Sequence, residues 1–448
     1  MKHQLYILLL FLGLALPASA QLKDTTASFS LQEAISYSLN HQVDIKNAKI
    51  DEQIATNTVK KTIGIGLPQI SASADFNDFL KVATSLLPAI IFDKDAAPGT
   101  FLPVQFGTKY NSTLGINATQ LLFDGSYLVG LKASKTYKEL STKNTTRTRI
   151  ETAVAVTKAY YSVLVSNEQL KLIDANLDRL KKSLNDTEQM FKNGFVEKID
   201  VDRLSVLNNN LITEKENVIQ LLALNLNLLK FQMGLGVNSN ITLKDKITSI
   251  NIDQNVALNE GAVFQKRIEY SLLETQKKLN DLDVKRYKSA FLPNLAAFGS
   301  YSRSFQNDNF SSLYERSFPT SLIGLKLSIP IISGGQKLYE LRNAKLEVLK
   351  TQNNIQNLEN AINLEVLQTR TTFLNGQRSL ENQKRNMELA KEVLRVTKIK
   401  YDQGVGSSLE VTTAETSLKE AQNNYINALY DMLINKVNLD KALGNINY

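Results

Sequence analysis

The strongest constraint on this chain is an internal duplication. Leu67-Pro68 opens a stretch of alternating small apolar and polar residues. It is followed by Leu122-Phe123-Asp124-Gly125, a long proline-free run, Phe191-Lys192-Asn193-Gly194, and a second proline-free run ending in Met233-Gly234. The same order returns as Leu292-Pro293, Pro330-Ile331-Ile332-Ser333-Gly334, Tyr401-Asp402-Gln403-Gly404 and Leu443-Gly444. From the first glycine element onward the offset is about 210 residues, far longer than a solenoid repeat and the size of a duplicated domain. The chain divides into residues 1–20, a first repeat at 21–235, a joining segment at 236–257 and a second repeat at 258–448. Each repeat is expected to hold a helix, two strands, a long helix and a returning helix.

Proline placement separates helix from strand. After residue 20, prolines fall only at 68, 88, 98, 103, 293, 319 and 330, one cluster per repeat. A proline inside a helix costs about 3 kcal/mol, so its absence from 104–292 and from 331 onward permits very long helices. Periodicity supplies the positive signal. Leu170, Ile173, Leu177, Leu180 and Leu184 are spaced 3-4-3-4, a heptad seam. Leu204, Leu207 and Leu211, and Ala414, Leu418, Ala421, Tyr425, Leu429 and Leu433, form similar stripes. A helix over 127–191 spans roughly 100 Å at 1.5 Å per residue, as does its counterpart over 336–401. Gly194 and Gly404 suit the positive-φ position that ends a helix. Shorter helices over 200–232 and 410–443 then return as antiparallel hairpins.

The proline clusters bracket strands. Ile70, Ala72, Ala74 and Phe76 alternate with polar residues, as do Leu114, Ile116 and Ala118, and Ile323, Leu325, Leu327 and Ile329. Residues 295–305 alternate less cleanly, with Arg303 on the face of Leu295 and Tyr301. Period 2 over about ten residues matches a membrane-barrel strand and equally a half-buried strand of a soluble sheet. Aromatic residues, among them Phe76, Phe79, Phe106, Tyr110, Phe123, Tyr301, Phe305, Phe310, Tyr314 and Phe318, gather at the strand ends, as in the girdles of membrane barrels. Residues 80–108 read as a loop, unusually apolar at Leu86-Leu87-Pro88-Ala89-Ile90-Ile91-Phe92.

Lys2, the apolar stretch Leu5 to Leu16 and Ala18-Ser19-Ala20 predict a cleaved signal peptide over residues 1–20 and an exported mature chain. The run is short of the ~20 residues a spanning helix needs, and no later stretch reaches that length, so entry into a membrane would be by strands. The chain has no cysteine, which excludes disulfides, thiolate metal sites and a lipid-bearing cysteine at the cleavage site. His41 is the one histidine left once His3 is removed, leaving almost no material for histidine metal sites or Ser-His catalysis. No nucleophile elbow or phosphate loop occurs, and no cofactor is expected. The net charge of +8 is spread in mixed sign along the helical runs, a solvated pattern that points away from nucleic acid. Four strands cannot close a barrel with a lumen, and an open sheet edge in lipid costs several kcal/mol per unsatisfied group. Membrane strands would therefore force oligomerisation, three chains giving twelve strands.

Over essentially its whole mature length the chain resembles the TolC-like outer-membrane efflux proteins. The resemblance rests on Leu-Pro before each first strand and on the two glycine elements after each second strand. It also rests on Phe191-Lys192-Asn193-Gly194 with Asp200-Val201, and on Tyr401-Asp402-Gln403-Gly404 with Glu410-Val411. It implies mixed α and β architecture: a homotrimer whose twelve-stranded β-barrel in outer-membrane lipid, four strands per chain, continues into a long α-helical coiled-coil tunnel across the periplasm. It implies a passive exit duct for tripartite efflux or type I secretion, working with a periplasmic adaptor (membrane fusion) protein and an inner-membrane transporter, and no enzyme activity. It places the tunnel entrance at the hairpin tips near Gly194 and Gly404, with Asp200 and Glu410 matching the acids that narrow the entrance and favour cations. The alternative role for either acid is a first-turn charge meeting the helix dipole. Where relatives carry a basic residue and a second acid near the second tip, this chain has Gly406 and Thr413. The joining segment is expected at mid-tunnel. A competing reading is an exported periplasmic coiled-coil adaptor or scaffold without a barrel.

Overall fold

The structure, a computed structural model, describes residues 27–247, 263–446 and 448; the expected signal peptide and residues 248–257 of the joining segment lie outside them. The chain begins with strand β1 (Ala27–Phe29), helix α1 (Leu31–His41) and helix α2 (Val43–Ile65). Ser30 and Glu33 form a reciprocal capping box at the start of α1. Gln42 breaks the two helices in extended backbone, and its side-chain carbonyl accepts from the N–H groups of Asp44 and Ile45 to cap α2. Then come β2 (Gln69–Asp78), β3 (Thr84–Pro88), β4 (Phe101–Gln105) and β5 (Tyr110–Phe123). Helix α3 (Gly125–Lys192), helix α4 (Lys198–Met233) and strand β6 (Ile241–Leu243) complete the first half. The second half holds α5 (Ile268–Ser289), β7 (Asn294–Asn307), β8 (Ser317–Ser328), α6 (Gln336–Asp402) and α7 (Ser408–Ala442). No helix among the described residues is long and apolar enough to cross a membrane.

Strands β2, β5, β7 and β8 form one antiparallel sheet in that order. The register puts Ile70, Ala118, Gly299 and Ile323 in one row, and Ala72, Ile116, Tyr301 and Ser321 in the next. One face therefore carries Ile70, Ala72, Ala74, Leu114, Ile116, Ile323, Leu325 and Leu327. The other carries Ser71, Ser73, Asn117, Thr119, Ser300 and Ser302. Neither face is covered by other described residues: Ile323 is 91% exposed and Ile70 73% on the apolar face, and β2 is exposed along both of its faces. Strands β2 and β8 are the edges, with no partner on their outer sides among the described residues. At the end away from the helices, Phe310 meets Phe76 and Tyr110 edge-on, at 5.9 and 5.6 Å between ring centroids. Tyr314 packs on Phe305, and Leu313 is buried beneath this aromatic band.

Below the sheet, α2 and α5 pack beside the upper parts of α3 and α6. Helices α4 and α7 pack beside the lower parts, and α7 also lies along α3. The 68 residues of α3 span roughly 100 Å. The seam expected from Leu170 to Leu184 packs on Leu204, Leu207, Leu211 and Val218 of α4. The stripe expected along α7 divides instead between two partners. Ala414 and Leu418 pack with Leu394 of α6, while Leu429 and Leu433 pack with Val165 of α3.

The largest core lies at the middle of the rod, where Ala153, Val156, Tyr160 and Val163 of α3 meet Ala34, Ile35, Leu229, Met233 and Ile241. Strands β1 and β6 pair in parallel there. The Tyr160 hydroxyl donates to the Asp245 carboxylate at 2.8 Å, with the Phe29 carbonyl 3.0 Å away, and the Leu31 N–H also donates to Asp245. Burial pushes the Tyr160 phenol well above its usual range, and the Asp245 carboxylate adds to the shift. Arg267, 6% exposed, plays the matching part in the second half: it pairs with Glu269 at 3.0 Å and Glu365 at 2.9 Å, and donates to the Ala442 carbonyl at the end of α7.

Residues 80–108, expected as a loop, contain a two-stranded hairpin, β3 paired with β4. Pro88 and Pro103 hid it. A two-stranded ribbon has outward-facing N–H positions on both strands, so proline is tolerated there as it is on a sheet edge.

Candidate functional site

The end of the rod opposite the sheet is made by two helix reversals of the same construction. Helix α3 ends with Gly194 at φ 79°, the Phe195 N–H donating to the Met190 carbonyl and the Gly194 N–H to Phe191. Helix α6 ends with Gly404 at φ 74°, the Val405 N–H donating to the Lys400 carbonyl and the Gly404 N–H to Tyr401. These six-to-one and five-to-two bonds are the Schellman pattern, which needs a left-handed residue at the glycine. Both loops then expose an apolar residue directly after the glycine: Phe195 is 80% exposed and Val405 76%.

The returning helices start with an acid in the first turn. Asp200 closes a reciprocal box with Glu197, accepting from its N–H at 3.4 Å, and pairs with Arg203 at 3.3 Å. At the second tip Ser407 supplies the cap, its hydroxyl accepting from the Glu410 N–H at 3.2 Å. The exposed Glu410 carboxylate has no ion pair among the described residues. Asp200 is thus engaged within its own helix start, while Glu410 is free to face an outside charge.

The two tips lie side by side. Between them is a cleft of ≈ 1080 Å³ whose walls include Met190, Phe195, Asp200, Arg203, Tyr401 and Leu409. The Tyr401 hydroxyl donates to Met190 Sδ at 3.8 Å across it. Gly404 lines the cleft; Gly194 and Glu410 stand outside its wall.

Above the tips a polar ladder joins the two hairpins, one that no periodicity or spacing in the chain foretells. Arg179 of α3 holds Glu415 of α7, 8% exposed, through three contacts of 3.1 Å, and donates to Asn176. Asn176 in turn donates to Gln422 at 2.6 Å. Glu214 of α4 takes Lys419 at 2.5 Å and Asn423 at 3.1 Å. On α7 these partners are residues 415, 419, 422 and 423, one face of a helix.

The family model for the outer membrane efflux protein matches residues 34–204 and 274–445 of the chain. The probable efflux pump outer membrane protein TtgC of Pseudomonas putida is 25% identical over 349 residues, covering 75% of this chain and 69% of that protein. The outer membrane protein TolC of Escherichia coli K12 is 26% identical over 398 residues, covering 84% and 78%. Among solved structures, CusC superposes with a TM-score of 0.75 at 19% identity, covering 93% of each chain.

Proposed function

The chain belongs to the outer membrane efflux protein family, a family of transport channels and not of enzymes, and on that footing we propose a passive exit duct. It sits in the outer membrane, strands in the bilayer and helical rod in the periplasm. Its relatives include an efflux pump outer membrane protein and TolC; in this proposal the duct works with an inner-membrane pump that supplies the energy and a periplasmic adaptor that joins the two. Small molecules or proteins pass through it from the periplasm or pump to the exterior.

One observation carries the reading: the four-stranded sheet is apolar on one face, polar on the other, uncovered on both and open at both edges. In a soluble protein such a sheet would have an unsheltered apolar face. In a bilayer that face meets lipid, the polar face lines water, and the edges β2 and β8 demand partners because hydrocarbon offers no hydrogen bonds. A neighbour's β8 on this chain's β2 continues the sheet. Two chains would give eight strands, a barrel filled by its side chains. The polar face here is mostly Ser, Thr and Asn, with Phe298 and Leu322 among its large exceptions, too little side-chain volume to fill one, so three chains and twelve strands make the smallest ring with a lumen.

Rows of exposed apolar residues on the rod support lateral association below the membrane. They include Val43, Ile50, Ile54 and Ile65 on α2, Leu221, Leu224, Leu228 and Phe231 on α4, and Leu364, Leu367 and Leu374 on α6. The two repeats, residues 21–235 and 258–448, then each contribute one hairpin to the periplasmic entrance. Gly194 and Gly404 turn the tips there, and a ring of three Glu410 carboxylates sets the charge of the mouth, with Asp200 secondary. Recording the purified chain in a planar bilayer tests the duct: long-lived, cation-preferring channels are expected, and a protein that never conducts is the scaffold of the alternative reading.

A further inference from the structure

The β3–β4 hairpin stands beyond the aromatic band, on the outer side of the sheet, and has no evident place in the duct. Its exposed residues are apolar to a degree that free loops are not: Leu86, Ile90, Ile91, Phe92, Phe101 and Leu102 all face solvent. Three features of the hairpin say what covers them. First, the hairpin is apolar on both faces. The register sets Leu86 and Pro88 beside Pro103 and Phe101 on one side, and Leu87 beside Leu102 and Val104 on the other. A membrane surface or a single partner would shelter one face; a neighbour on each side shelters both.

Second, the hairpin grows from the β2–β5 pair, and β2 is the open edge of the sheet. The Phe79 N–H donates to the Lys109 carbonyl, carrying the ladder one step past β2 before the chain breaks toward β3. The hairpin therefore rises at the seam where the next copy joins. Third, its length fits. Twelve strands about 4.8 Å apart, tilted by about 40°, close at a radius of about 12 Å. Each five-residue strand of the hairpin reaches about 17 Å, enough to meet the barrel axis from the rim.

We propose that the β3–β4 hairpins of three copies of this chain pack face to face over the outer mouth as an apolar lid, which cargo must part on leaving. Ile90, Ile91 and Phe92 form its centre, and Asp93, Lys94 and Asp95 turn outward to water. The lid rests on the three-chain barrel, so its test reads the two separately.

The chain has no cysteine, so single thiols are clean probes. Ile91→Cys, oxidised in the outer membrane of intact cells, is expected to give chain dimers on a non-reducing gel. Asn117→Cys lies on the polar face below the lid. Its reaction with a bulky, impermeant maleimide added from outside is expected to be slow, and to quicken several-fold when Ile91→Asp and Phe92→Asp are added. Particle mass in detergent is measured for each variant. A three-chain particle whose Ile91→Cys does not cross-link, and whose Asn117→Cys reacts equally fast in both backgrounds, overturns the lid and leaves the barrel standing. A single-chain particle overturns both.

Discussion

Asp200 and Glu410 stand at the same position of two homologous helix starts and are placed to act differently. Asp200 is spent on the Glu197 N–H and on Arg203; Glu410 is exposed and unpaired. Three Glu410 carboxylates around one mouth would attract multivalent cations. Glu410→Ala is therefore expected to relieve divalent-cation block of the channel in bilayers, and Asp200→Ala to change it little. Equal relief by both would assign the charge of the mouth to the wrong acid. Both acids could be found in the sequence, because each follows a helix-ending glycine by six residues. The Arg179–Glu415 ladder could not. A charged residue on the outer side of a heptad looks like a solvated face until the second hairpin is laid against it.

At the scale of elements, the helices and the four long strands were legible because their signals are local: missing proline, heptad spacing and strict alternation. The fine duplication is visible too. Gly234 and Gly444 each leave a returning helix at positive φ directly against the backbone that precedes the helix leading to the sheet, Gln42 before α2 in one half and Lys266 before α5 in the other. A Cβ at Gly234 would lie 2.8 Å from the Gln42 backbone, whereas one at Gly194 meets nothing within 4 Å. Gly194→Ala is expected to cost the ~1 kcal/mol of a left-handed alanine, and Gly234→Ala clearly more, as read by thermal melting. Equal costs would mean the close approach to Gln42 carries no strain. Gly376 has a similar explanation: it lets α6 approach Asn435 and Met432 of α7.

The middle of the rod was not legible, because β1 and β6 are three residues each and pair across more than two hundred positions. Their neighbourhood has a pH signature. The hydrogen bond from Lys244, with that from the Ser30 N–H, holds the Glu33 carboxyl down at about 2, from an ordinary 4.5. A depressed carboxyl stabilises the fold above its unfolded pKa and loses that contribution as pH falls through the folded one. Lys244→Ala is thus expected to lower the melting temperature slightly at neutral pH and to flatten its decline between pH 4.5 and 2. An unchanged acid limb would show the pair to be fully screened.

For the whole molecule, the number of strands mattered more than any motif. Four strands cannot enclose water, and this sheet, apolar on one face and polar on the other, does not close on itself. The sequence yielded that count and the polarity of each face. It did not yield the β3–β4 hairpin, whose prolines masked it, nor the exposed rows on α2, α4 and α6, whose spacing is the same as that of buried seams. What distinguishes those rows is that nothing among the described residues covers them. The most direct measurement is therefore the mass of the purified particle in detergent after membrane fractionation. A three-chain particle recovered from the outer membrane is the expected result. A single chain recovered in the soluble periplasmic fraction would contradict the shared barrel and leave the sheet an ordinary one.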